Sequence, residues 1–390
     1  MAASWQDHGV TVDGWVGNDF EAVLDVFEQN FDERGEVGAA LCVYQDGHAI
    51  VDLWGGIADP ATERPWTEDT IVLVYSSTKG VTSICVNKLI EDGRLDPAAP
   101  VATYWPEFAA NGKERITVAQ LVSHQAGLPF VEGDMSLADA LGWDEPVARL
   151  AAQAPIWEPG TKHGYHMRTF GWLAGELIRR VDPAHRTAGQ YLRAEIADPL
   201  GVDFWIGLPE SEEPRVAPVI PPTTDLLAAL EAFGDTLLLA RVFGNPGGHF
   251  NYNQMWNTRE MRATEMPSSN GVGNARGLAR LYASIIGDVD DIRTLQPATL
   301  AAASVEQACG KDEVIMVESC FGLGFMLGKS FGAANPKSAV GHAGAGGSLC
   351  FADPETGIAF SYVMNDLRFD AKGDPRSEEL VRAVYRSLGG

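Results

Sequence analysis

A chain of 390 residues that is 45% hydrophobic and 21% charged can bury a large core, and its length alone suggests two lobes or two domains. Its net charge of −24 argues against nucleic acid or an anionic membrane as a partner, because both are polyanions. No apolar run reaches membrane-spanning length, and residues 1–10 lack the basic-then-apolar pattern of a signal peptide, so the cytoplasm is the expected location. The five cysteines (Cys42, Cys85, Cys309, Cys320, Cys350) form no Cys-x-x-Cys pair and mostly sit in apolar context. Buried free thiols in a reducing compartment are therefore expected.

Residues 19–31 read as a helix, with Phe20, Val23, Leu24, Val26 and Phe27 on or near one face. Residues 39–44 and 49–54 are β-rich runs on either side of Gln45-Asp46-Gly47-His48, a hairpin pattern. The apolar stretch Ile71-Val72-Leu73-Val74-Tyr75 delivers Ser76. Beyond it, Val81, Ile84, Cys85, Leu89 and Ile90 repeat at helical spacing and Gly93 closes the run, which predicts an amphipathic helix. Helical patterns dominate to about residue 286, broken by a proline-rich stretch at 209–222. Strand patterns return at 322–327, 347–351 and 358–364, and an amphipathic helix at 378–388 closes the chain. Strands at both ends around a helical middle imply one sheet completed by both terminal segments, with a helical insertion beside it. The expected lobes are residues 1–75 with 290–390, and residues 76–289, with a cleft between them.

Ser76 and Lys79 are three residues apart and so share a helical face. A serine at a helix N-terminus sits where free N–H groups and the dipole favour developing negative charge. A buried lysine one turn along could lose its proton cheaply and help deprotonate that hydroxyl, as in Ser-x-x-Lys acyl enzymes. The alternative is a capping serine with a solvated lysine. None of the other seven lysines has a serine three residues before it. The Gly-x-Ser-x-Gly signal of other serine hydrolases is absent, as is His-Glu-x-x-His, and no metal site is expected. Tyr165, in a Pro- and Gly-bearing loop ahead of a helical pattern, is the candidate base if a cation such as Lys79 stabilises its phenolate. The alternative is a loop aromatic packed on the core. Gly341-His342-Ala343-Gly344-Ala345-Gly346-Gly347-Ser348 precedes a strand and could bring backbone N–H groups close to an oxyanion or an extended substrate. A plain tight turn is the alternative. Residues 243–259, rich in Asn, Gly and Trp, are either a substrate-determining loop or surface packing.

Taken in order, these pieces resemble the serine β-lactamase and penicillin-binding-protein superfamily, and within it the family VIII carboxylesterases related to class C β-lactamases. Ser76-x-x-Lys79 matches the nucleophile motif and Tyr165 the tyrosine that begins the second motif. His342-Ala343-Gly344 stands in the place of the Lys-Thr-Gly strand motif. The resemblance implies an α+β, β-lactamase-like fold: an antiparallel sheet flanked by helices, with a mostly helical second lobe. It implies catalytic roles for Ser76, Lys79 and Tyr165, an oxyanion hole from the N–H groups of Ser76 and Ala345, and substrate binding by His342, Ala343 and Gly344. No cofactor is implied, the expected partner is a small-molecule ester, and the oligomeric state is left unassigned. The family's class C members have asparagine two residues after the tyrosine and lysine at the start of the third motif, where this chain has Met167 and His342. Both departures remove polar groups that hold a β-lactam, which implies a carboxylesterase for short neutral esters. A β-lactamase, D-aminopeptidase or acyltransferase using the same serine is the alternative, and a non-catalytic binding protein of this fold the remote one.

Overall fold

The computed structural model describes residues 10–223, 230, 238–331, 334, 336–369 and 373–389. Its N-terminal segment supplies β1 (Val12–Val16), β2 (Gly38–Gln45), β3 (His48–Asp59) and the short β4 (Arg64–Pro65). Four short strands, β5 (Ile71–Leu73), β6 (Phe204–Trp205), β7 (Val216–Ala217) and β8 (Val272–Gly273), form a separate small sheet. The C-terminal segment supplies β9 (Ala308–Lys311), β10 (Glu318–Phe321), β11 (Met326–Leu327), β12 (Val340–Ala343), β13 (Leu349–Asp353) and β14 (Ile358–Met364). The main sheet is antiparallel and runs β1-β3-β2-β14-β13-β12-β11-β10-β9, with β4 paired to β3. Its two contributions meet where β2 pairs β14 along seven residues.

The β2–β3 hairpin turns on Asp46 and Gly47, whose φ values of 47° and 83° are those a two-residue type I′ turn requires. β2 and β14 are buried at nearly every position rather than every second one, as expected of strands covered on both faces. Five longer helices surround this frame: α1 (Glu21–Asp32), α2 (Ser77–Glu91), α3 (Thr169–Val181), α4 (Ala275–Ile286) and α5 (Pro375–Leu388). α4 lies across β2, β13 and β14, and α1 packs against α5. α2 packs between α3 and β12. Gly80 leaves room on α2 for a side chain of α4, since a Cβ there would lie 1.9 Å from the Tyr282 hydroxyl. Among the described residues, no helix is long and apolar enough to cross a membrane.

Three expectations need correction. α2 is not amphipathic, because it is buried on all sides from Ser77 to Asn87. Its polar side chains are absorbed by internal hydrogen bonds, such as Thr82 to the Pro267 carbonyl and Asn87 to the Leu323 carbonyl. Of the strand expected at 322–327 only Met326–Leu327, β11, is strand, and residues 322–325 form the turn that joins it to β10. The cysteines are not all free thiols: Cys309 and Cys320 face each other across β9 and β10 and are joined in a disulfide, leaving Cys42, Cys85 and Cys350 free and buried. Cross-strand register, not sequence spacing, brings that pair together. The inference of a reducing compartment thereby loses its premise.

Candidate active site

Ser76 is the residue immediately ahead of α2, delivered by β5 through Val74 and Tyr75. Tyr75 takes φ +48°, a conformation a non-glycine residue adopts only when its surroundings fix it. Its carbonyl accepts from the Thr78 hydroxyl at 2.5 Å, and its ring packs edge-on against Tyr252 and Trp256. The bend sets Ser76 at the helix start, and the neighbouring Ser77 turns away toward β12 and β13. Ser77 Oγ lies 3.0 Å from Ser348 Oγ and donates to the His342 carbonyl at 3.3 Å.

Lys79 is fully buried one turn further on. Its Nζ lies 3.1 Å from Ser76 Oγ, 2.6 Å from the Met167 carbonyl and 2.9 Å from the Ser268 carbonyl. The two carbonyls accept from Nζ, while the third contact runs either way: an ammonium donates to Ser76 Oγ, and a free amine accepts from its O–H. Burial, and then the charge of Arg168, push the Lys79 pKa well below the ordinary lysine value.

Tyr165 stands over this amine, with Lys79 Nζ 4.7 Å from its ring centroid. Its ring stacks on Phe321 and is flanked by His124 and His342. Its backbone N–H is held by the buried Asp312 carboxylate, which also accepts from the N–H groups of Val314 and Ile315 and from the Ser319 hydroxyl. Burial raises the Tyr165 pKa above the ordinary phenol value, with Ser76 acting in the opposite direction. The expected phenolate is therefore not the resting form. The site sets a phenol held toward its protonated form beside a lysine pushed toward its free amine.

His342 lies at 1% exposure in β12. Its Nδ1 donates to the Ala343 carbonyl at 2.7 Å, so in the neutral ring Nε2 carries the lone pair, and that atom has no partner among the described residues. Burial, followed by Lys79, lowers its pKa to about 3, so the ring is uncharged at neutral pH. After β12 the chain turns through residues 344–347 into β13. A Cβ on Gly344 would lie 2.3 Å from the Val74 carbonyl, so only glycine permits this approach to the segment carrying Ser76. Gly344 N–H donates to the Ser348 carbonyl, whereas among the described residues the N–H groups of Ser76 and Ala345 meet no acceptor. The structure thus brings Ser76, Lys79, Tyr165, His342, Ala343, Gly344 and Ala345 into one region.

Sequence reasoning missed Arg168, Asp312, Ser268 and His124. Arg168 is three residues beyond Tyr165, and its place at the start of a buried helix was an available signal. Asp312 and Ser268 had none, because their contacts span 147 and 189 residues. Residues 243–259 send their aromatic side chains inward, with Phe250, Tyr252 and Trp256 buried around Tyr75 and Arg168, while Gly247, Gly248, Asn253, Gln254 and Thr258 stay exposed.

The Beta-lactamase family profile matches residues 24–383. The chain is 36% identical over 374 residues to the esterase/beta-lactamase LipL of Mycobacterium tuberculosis (strain ATCC 25618 / H37Rv), covering 93% of this chain and 84% of that protein. Among solved structures, a family VIII carboxylesterase superposes with a TM-score of 0.87 at 39% identity, covering 97% of this chain and all of that one. A penicillin-binding protein homolog from Caulobacter crescentus gives 0.85 at 40% identity, with the same coverage of both chains.

Proposed function

The chain belongs to the beta-lactamase family and is a serine hydrolase, and on that footing we propose that it is a carboxylesterase of short neutral esters acting through a Ser76 acyl-enzyme. The observation that carries the reading is the Lys79 amine, held by two carbonyls with its third direction on Ser76 Oγ. Lys79 takes the serine proton as Oγ attacks the ester carbonyl carbon. The N–H groups of Ser76 and Ala345 receive the oxyanion. As the C–O bond breaks, the proton held by Lys79 reaches the leaving alkoxide through the Tyr165 phenol, which suits a group kept protonated by burial. Water then enters, gives its proton to the same pair and cleaves the acyl-enzyme. The buried pair titrates as a unit rather than as two independent residues.

The substrate class rests on His342 and Met167. A neutral, buried imidazole offers no cation to a substrate carboxylate, and Met167 presents a thioether where an amide would hold a β-lactam. Short neutral esters need neither group. Turnover of p-nitrophenyl butyrate against a chromogenic cephalosporin tests this: kcat/KM should favour the ester by roughly 10²-fold or more, about 3 kcal/mol for two missing polar contacts. Met167→Asn with His342→Lys should raise the cephalosporin rate. Comparable constants for the unmodified enzyme would replace the esterase by a lactamase.

A further inference from the structure

Arg168 is 3% exposed and ends the Tyr165 loop at the start of α3. Its Nη2 donates to the Phe250 carbonyl at 2.5 Å, and the guanidinium lies against the rings of Phe250 and Trp256, 5.4 and 5.9 Å from their centroids. Among the described residues its Nε and Nη1 complete no well-formed hydrogen bond, the neutral phenol of Tyr252 is the polar side chain beside it, and no carboxylate forms an ion pair with it. An arginine stays charged even when buried. Its backbone is interlocked with the lysine's own ligands. Met167, which accepts from Lys79, is its chain neighbour, and the Arg168 carbonyl accepts from the hydroxyl of Ser268, whose carbonyl also holds Lys79.

We propose that Arg168 is a positioning residue for proton transfer: its unneutralised charge keeps Lys79 in the free-amine form that accepts the Ser76 proton. The other titratable groups around Lys79 do not supply that charge. His124, His166 and His342 are buried and neutral, the last two with pKa values of about 4 and about 3. Tyr165, Tyr75 and Tyr252 are phenols raised by burial. Asp312, with His163 beside it, is saturated by three N–H groups and the Ser319 hydroxyl on the far side of Tyr165. A like charge in a low-dielectric interior destabilises the ammonium more than the amine, which is also the direction of the Lys79 shift. His342, in the place of the third motif's lysine, leaves Arg168 as the fixed cation of the site.

This inference rests on reading Lys79 as the base. It is tested by the pH dependence of Ser76 acylation with a tagged alkyl fluorophosphonate, and of kcat/KM for p-nitrophenyl butyrate, whose leaving group needs no protonation. Arg168→Met and Arg168→Gln should each move the acid limb to higher pH by about one unit, roughly a tenfold loss below the limb and a much smaller one on the alkaline plateau. Arg168→Lys, which keeps the charge, should hold the limb near its original position. An unmoved limb in either neutral variant, with only the plateau lowered, overturns the inference and leaves Arg168 a packing residue. Lys79→Met separates this from failure of the parent reading. If that variant is still acylated at the wild-type rate, Lys79 is not the base. If it is inert while the neutral Arg168 variants keep the original limb, only the role of Arg168 falls.

Discussion

The C-terminal region buries Arg376 beside Glu36 and Asp374, whereas the region around the nucleophile buries Arg168 with no carboxylate beside it among the described residues. Arg376 is saturated. It donates to both Glu36 oxygens, to both Asp374 oxygens and to the carbonyls of Asp366 and Gly346. Through Gly346 it braces the turn that carries Ala345, and through Glu36 it ties α5 to the start of β2. Arg168 receives one carbonyl and two aromatic faces. A neutralised buried charge holds elements together. One left unneutralised projects a field onto its neighbours, and here the neighbour is Lys79.

The sharpest way to break the catalytic side of this comparison is Ser76→Ala, which should lower kcat on p-nitrophenyl butyrate by on the order of 10⁴ or more, because the covalent route disappears. Retention of over about a tenth of the activity would remove Ser76 from the mechanism. The structural side breaks at Arg376. Arg376→Met strands Glu36 in the interior and should cost about 3–5 kcal/mol in urea unfolding, whereas Arg168→Met should cost less than about 1 kcal/mol or stabilise the fold. Equal losses would mean the two arginines do the same work.

Acid sharpens the contrast on the catalytic side. His166 and His342 titrate in the folded protein at about 4 and about 3, against an ordinary 6.5. Their neutral forms are favoured by the fold, so their contribution is complete above pH 6.5 and is lost as pH falls toward the folded values. At pH 5 the loss should be about 2 kcal/mol for each histidine, read as a falling urea midpoint. Replacing either by Gln should flatten the profile. The smallest effect is expected at Ser77→Ala, which removes the contacts to Ser348 and the His342 carbonyl. It should cost about 1 kcal/mol of stability and change kcat by only a few-fold.

The contrast between the arginines also marks how far the residues could be read before folding. Lys79 and Tyr165 stood out because each carries a local signal, a helical interval in one case and a constrained loop ahead of a helix in the other. Arg168 and Arg376 look alike on the page. They differ in whether Glu36, 340 positions from Arg376, arrives beside the guanidinium. The Cys309–Cys320 pair was misread for the same reason: their meeting is set by the register of β9 against β10.

The chain's own order of residues determined what depends on short-range periodicity. It placed the hydroxyl of Ser76 and the amine of Lys79 on one turn, the hairpin at Asp46-Gly47, the strand-forming segments toward both ends, and the replacement of lysine by His342. The tertiary structure alone decided the partners and the environment of those groups, and with them the direction in which their proton affinities move. It buried α2 on every side from Ser77 to Asn87, brought the carbonyls of Met167 and Ser268 to Lys79, and left Arg168 without a carboxylate beside it among the described residues. Periodicity is fixed by a few dihedral angles per turn, whereas the proton affinity of a side chain depends on every dipole and charge the fold assembles around it after water has been excluded.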